Sequence, residues 1–199
     1  MGRAYTLDRH ELALFGNVVT METAKSHDRR KREGWFERYV AEPIVDIGCG
    51  NDPLTESATK YDRMHGADDA VFCRELADAS FATVYASHVL EHVWHPVVAL
   101  QSWSRILKPG GRLIVCVPHR ALYEKRQLLP SRWNGDHKSF WLPTRVDPPH
   151  TFSLFDTFRE ALPDFEVELF RVLDDGFQDN GDGHSGGEYS IEIIGRKPG

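Results

Sequence analysis

The feature that most constrains this chain is a short apolar run, Ile44-Val45-Asp46-Ile47, closing on Gly48-Cys49-Gly50-Asn51. It predicts a buried strand that opens onto a tight turn. Glycines there let the backbone turn sharply and let a ligand approach with no Cβ in the way. The run is not G-x-G-x-x-G, because residue 53 is proline, and no Gly-Lys-Ser/Thr follows to cradle a phosphate. A dinucleotide pyrophosphate is therefore not the favoured ligand. Asp46 instead suits a ligand carrying an ammonium group. Asp62, at the expected end of the next strand, is placed to accept hydrogen bonds from ribose hydroxyls.

Further strands are predicted near Ala70–Cys73, at 82–86, at 112–118, and at 165–173 and 188–197, the last two pairing as an antiparallel hairpin. Helical spacing marks 21–41, Trp94–Leu107 and 153–162, with Ser153 as N-cap of the last. Alternating strands and helices indicate an α/β fold, a Rossmann-like doubly wound sheet, mostly parallel with an antiparallel C-terminal hairpin. The connections before and after Asp62 are too short for full crossover helices, so the early helices should be shortened. The whole chain, 1–199, reads as a single domain. Residues 119–150 have no clear periodicity and hold prolines, two tryptophans and three histidines, which suits a functional loop better than disorder. The 21–41 helix has a basic face, read either as a solvated surface or as a lid that helps hold an anionic substrate.

Four segments in register carry a more specific signal. Val45-Asp46-Ile47-Gly48-Cys49-Gly50 resembles the first motif of the class I S-adenosylmethionine-dependent methyltransferases. Ser80-Phe81-Ala82-Thr83-Val84-Tyr85-Ala86 resembles that family's "SFDxVxx" strand, with Ala82 where Asp is common. Leu90-Glu91-His92-Val93 resembles its "LEH" segment, and Leu107-Lys108-Pro109-Gly110-Gly111-Arg112-Leu113 its "LKPGGxL" turn. The resemblance implies that S-adenosylmethionine is the cofactor. Its methionine end would lie by Asp46, Gly48, Gly50 and Asn51, its ribose on Asp62 and its adenine near Asp69–Cys73. Ser87 and His88 would then lie close to the sulfonium.

His88, Glu91 and His92 fall at i, i+3 and i+4, so on a helical turn they share one face. Two imidazoles and a carboxylate can hold a divalent metal, although a capping Glu and a packed His would give the same spacing. In the ubiquinone-pathway O-methyltransferases and the small-RNA 2′-O-methyltransferases an E-x-x-E-H segment at a similar position binds a divalent ion. His88 replaces the first Glu here, which makes the site softer and less suited to magnesium; the expected ion is magnesium or manganese. Asp136-His137-Lys138 resembles the D-H-K loop of the small-RNA enzymes. That makes His137 a candidate fourth ligand, or with His88 a candidate catalytic base.

The mixture of aromatic and polar residues at 130–141 suits a carbohydrate acceptor or a nucleotide base. The compact core with this loop is similar to small bacterial polysaccharide and sugar O-methyltransferases, such as those of mycobacterial methylmannose polysaccharide biosynthesis. The expected reaction is methyl transfer to a hydroxyl of a small-molecule or oligosaccharide acceptor. Alternatives are another small-molecule hydroxyl, the terminal ribose of an RNA, or a non-catalytic cofactor-binding regulator.

Composition narrows these. Thirty Asp and Glu against 24 Lys and Arg give a net charge of −6, which disfavours nucleic acid. No apolar run is long enough for a membrane span, and the N-terminus carries no evident signal peptide. Three cysteines, Cys49, Cys73 and Cys116, fit reduced thiols in a cytoplasmic protein. The sequence leaves a homodimer open.

Overall fold

Strand β1 (Ile44–Ile47) is buried at every position, as an apolar run covered on both faces must be. In the computed structural model, which describes residues 22–199 except 68, 182 and 184, it lies between β2 (Thr59–Tyr61) and β3 (Phe81–Ser87), parallel to both. Strand β3 runs parallel to β4 (Leu107–Pro118). The sheet ends in two antiparallel strands, β7 (Glu166–Leu173) and β8 (Ser190–Arg196), giving the order β2-β1-β3-β4-β8-β7. The chain moves outward from β1 to β2, then returns past β1 to β3. That reversal opens a crevice at the C-terminal ends of β1 and β3, where open α/β sheets bind ligands.

Helices α3 (Pro96–Ile106) and α4 (Leu154–Ala161) cover one face, burying Leu100, Trp103 and Phe158. Helix α4 starts as its sequence predicts, with the Asp156 N–H donating to Ser153 Oγ at 3.1 Å. On the other face α2 (Trp35–Tyr39) packs Trp35 and Tyr39 against Tyr85, Ile114 and Ile194. All three cysteines are free and buried, and no helix among the described residues is long and apolar enough to cross a membrane.

Four expectations need correction or limits. The 21–41 segment is two helices, α1 (Glu22–Arg32) and α2, separated at Gly34, whose φ of 63° is left-handed. Its Met21, like the N-terminal stretch read for a signal peptide, lies outside the described residues. No strand forms at Ala70–Cys73. Instead the Trp103 indole N–H donates to the Ala70 carbonyl at 2.8 Å and the Arg105 guanidinium to the Cys73 carbonyl at 2.8 Å, so side chains of α3 hold this backbone. The 119–150 segment is partly regular: a π-helical turn spans Arg120–Glu124, and β5 (Phe140–Leu142) pairs in parallel with β6 (Thr151–Ser153).

The basic residues of α1 are only in part a solvated face: Lys31 and Arg32 are exposed, while Arg29 and Arg30 are buried. Arg30 is 1% exposed, with its guanidinium 2.9 Å from Glu192 on β8, 2.9 Å from the Tyr85 hydroxyl and stacked over Trp35. Arg29 grips Glu188 through two hydrogen bonds of 2.7 and 2.9 Å. These pairs dock α1 across the C-terminal strands. Removing one partner of a buried pair strands the other charge, so Arg30→Ala should cost about 3–5 kcal/mol. Arg32→Ala, which breaks only the exposed contact to Asp175, should cost under about 0.5 kcal/mol. Urea unfolding of both variants measures this; equal, small losses would mean that the buried pairs do not anchor the helix.

Candidate functional site

The crevice is built where two loops nearly touch. Gly48, at φ +72°, follows β1 so closely against the segment after β3 that a Cβ there would lie 2.3 Å from Val89 Cγ2. Beside this contact opens a cavity of about 430 Å³, lined among others by Gly48, Asp62, Asp69, His88, His92 and Asp136. One continuous space thus joins residues expected for the cofactor to residues expected for chemistry.

Asp46, Gly50, Asn51 and Ser87 lie off this cavity. Asp46 sits beneath the turn, 1% exposed, accepting the Leu54 N–H at 2.7 Å. Burial lifts its carboxyl to about 7, and the neighbouring acids Asp52 and Asp62 add to the rise. Gly50 donates its N–H to Asp62 Oδ2 at 3.2 Å, and Asn51 is exposed on the turn. Asp62 Oδ1 also accepts the Met64 N–H at 2.8 Å, so its carboxylate ties the two loops together. Asp69 accepts the Val71 N–H at 2.8 Å. Ser87 ends β3, paired with Cys116.

Behind His92, which lines the cavity, three expected metal ligands come together. The ligand atoms of Glu91, His92 and His137 all lie within 4.8 Å of one another. Glu91 is fully buried, and neither of its carboxylate oxygens has a hydrogen-bond partner. His92 Nε2 lies 3.8 Å and His137 Nε2 3.9 Å from Glu91 Oε1. Burial, with Glu124 and Glu22 nearby, pushes the Glu91 carboxyl well above the usual range. This buried carboxyl, without hydrogen-bond partners and faced by two imidazoles, is a donor set suited to a divalent cation, which would take the place of the carboxyl proton. Burial and the adjacent His137 lower the His92 pKa, so the ring favours the neutral form that a metal ligand needs.

His137 reaches the cluster because its loop docks on the backbone of Glu91 and on the side chain of His92. The Lys138 N–H donates to the Glu91 carbonyl at 2.7 Å, and the Asp136 carboxylate lies 3.1 Å from His92 Nδ1. His88 stands apart from the trio. Its φ of 57° is left-handed, its Nε2 lies 2.8 Å from Ser190 Oγ, and its Nδ1 lies 3.7 Å from Glu91 Oε1. Its ring lies against the edge of Tyr123 and Tyr189, which also pack on each other, and α1 brings Glu22 Oε2 within 3.9 Å of His88 Nε2. His119 is outside the cluster, accepting the Ala121 N–H through Nδ1. His184 lies outside the described residues. Sequence reasoning missed Glu22, Tyr123, Glu124 and Tyr189. None stands in a motif; the docking of α1 brings Glu22 here, the π-turn Tyr123 and Glu124, and the start of β8 Tyr189.

The sequence model of a methyltransferase domain family matches residues 20–150. A ubiquinone biosynthesis O-methyltransferase of Xanthomonas oryzae pv. oryzae is 29% identical over 103 residues, 39% of this chain and 43% of that relative. A 27-O-demethylrifamycin SV methyltransferase of Amycolatopsis mediterranei is 27% identical over 126 residues, 48% of this chain and 45% of that relative. The chain therefore spans less than half the length of these curated relatives. A solved SAM-dependent methyltransferase from Archaeoglobus fulgidus superposes with a TM-score of 0.54 at 16% identity, covering 96% of this chain and all of that one, a likeness of fold.

Asp46 offers a test of the turn. An acid whose folded pKa is raised contributes stability that is complete below its unfolded pKa, about 4, and lost as pH climbs through about 7. Asp46→Asn keeps an acceptor for Leu54 and cannot ionise. The ligand-free variant should therefore gain on the unaltered protein from pH 4 to 8, by on the order of 3 kcal/mol. Parallel pH profiles in denaturant titrations would contradict this placement.

Proposed function

Because this chain belongs to the methyltransferase domain family, with the class I architecture that binds S-adenosylmethionine, we propose that it moves the cofactor's methyl group to a hydroxyl oxygen, with a divalent ion, magnesium or manganese, held by Glu91, His92 and His137. The observation that carries this reading is Glu91, a buried carboxyl without a hydrogen-bond partner, faced by the Nε2 atoms of His137 and of His92, the one of the three that lines the cavity shared with Gly48. A bound divalent ion supplies Lewis acidity that lowers the pKa of a hydroxyl.

The chain's own residues do the rest. Gly48 leaves room for the methionine end, Asp62 receives the ribose hydroxyls and Asp69 borders the adenine. Asp46, Gly50, Asn51 and Ser87 act from behind, shaping the turn and the end of β3. His88 lines the cavity beside Tyr123 and Tyr189 and takes the hydroxyl proton as the oxygen attacks the methyl carbon. The carbon–sulfur bond breaks as the carbon–oxygen bond forms, and S-adenosylhomocysteine leaves. Holding donor and acceptor in line is the main contribution of such a site.

Both curated relatives described above are named as methyltransferases of a small molecule, which supports a small-molecule hydroxyl as acceptor. The 119–150 segment is read as its binding wall. A sugar is favoured by the mouth of the cavity, where the Trp94 indole, 69% exposed, stands beside Asp136. An aromatic face next to a charged rim fits a ring with apolar C–H faces and hydroxyl edges.

Turnover of methyl-labelled cofactor against a panel of sugars and small alcohols tests the reading. Excess chelator should abolish activity, and magnesium or manganese should restore it. His137→Gln should lose at least about a hundredfold in rate while the affinity for S-adenosylhomocysteine stays within about threefold. Full activity in chelator would remove the ion from the reading, and near-normal turnover by His137→Gln would remove His137.

A further inference from the structure

We propose that Glu124 is a positioning residue that sets the tautomer of His137, so that this ring presents a lone pair to the cation site; the inference rests on the metal reading above. Glu124 is fully buried, and its Oε1 lies 2.5 Å from His137 Nδ1. Its other oxygen accepts the Ser131 hydroxyl at 2.6 Å and the Arg132 N–H at 3.4 Å. An ionised carboxylate only accepts, so the hydrogen between Glu124 and His137 sits on Nδ1. In the neutral ring Nε2 is then a bare lone pair, 3.9 Å from Glu91 Oε1. Free imidazole favours the opposite arrangement, with its hydrogen on Nε2, which would point a donor where a ligand is needed.

The local fold serves this placement. Glu124 closes the π-turn, where the Lys125 N–H donates to the Arg120 carbonyl at 2.8 Å. Such turns recur at functional sites. The preceding residue, Tyr123, stacks on the His137 ring with centroids 5.8 Å apart. Two consecutive side chains thus hold one imidazole by its face and by its edge. His92 has a weaker counterpart. Asp136 reaches its Nδ1 at 3.1 Å, but Asp136 is exposed and shared with Lys138. Carboxylates behind metal-binding imidazoles typically contribute 10- to 100-fold in affinity, and a buried one contributes more than a solvated one.

The test uses the full chain free of metal, then titrated with manganese or cobalt. In ¹⁵N-histidine spectra at alkaline pH, His137 should carry its hydrogen on Nδ1, and Glu124→Gln should lose that preference. Calorimetry should show cation binding weakened about 10- to 100-fold in Glu124→Gln and by less than about threefold in Asp136→Asn. If Glu124→Gln does not fold, Ser131→Ala, which leaves the His137 contact but removes an anchor of Glu124, should weaken binding several-fold. An unchanged tautomer, or unchanged affinity in the folded variant, overturns the inference. An unaltered protein that binds neither cation overturns the metal reading, while the tautomer spectra still decide the role of Glu124.

Discussion

The near-contact of Gly48 with Val89 is the constraint on which the rest of the molecule depends. It brings the turn after β1 against the segment after β3, where the strand order of the sheet reverses. A larger residue at 48 would push the two apart and would have to adopt a backbone conformation that L side chains rarely take. With the two loops in register, everything beyond Val89 falls into place. Leu90 enters the core, Glu91 turns inward, and the Glu91 carbonyl receives the loop that carries His137. The site is a consequence of a close backbone approach more than of any strong side-chain bond.

A second set of contacts ties the N-terminal helix to the same place. Arg29 and Arg30 reach Glu188 and Glu192, which flank the strand residue Ser190, and Ser190 is the partner of His88. Helix α1 therefore docks through buried charge on the strand that also holds the imidazole, and its first described residue, Glu22, comes to lie beside that ring. Buried pairs of this kind add less stability than apolar packing would, but they tolerate few alternative registers. In this chain that selectivity fixes the surroundings of His88, which lines the cavity.

Much of the sheet was legible because its signals are local. The glycine turn, β3, the Leu107–Gly111 turn and each strand of the C-terminal hairpin announce themselves within a dozen residues or fewer. The failures share a cause in distant partners. Ala70–Cys73 has the composition of a strand, yet Trp103 and Arg105, some thirty residues on, take its carbonyls. The charge run of α1 looks like a wet surface because its acidic partners lie more than 150 residues away. The spacing of Glu91 and His92, with the Asp136–Lys138 motif, was enough to single out three residues that the structure brings together. His88 has the same helical spacing, but its left-handed backbone turns the ring toward Ser190. Glu124, a lone acid in an unpatterned segment, left no signal to read.

Strand β2 is three residues long, pairs with β1 alone and buries only Tyr61. An edge held by so few backbone bonds has a low free energy of local opening, far below that of the central strands. Asp62 follows it directly and bonds to Gly50, so each opening of the edge would also loosen the turn across the crevice. A ligand that bridges Asp62 and Gly48 must suppress those openings. Part of its binding free energy is then spent as local order, and amide exchange at Thr59–Tyr61 becomes a report on whether the crevice is filled.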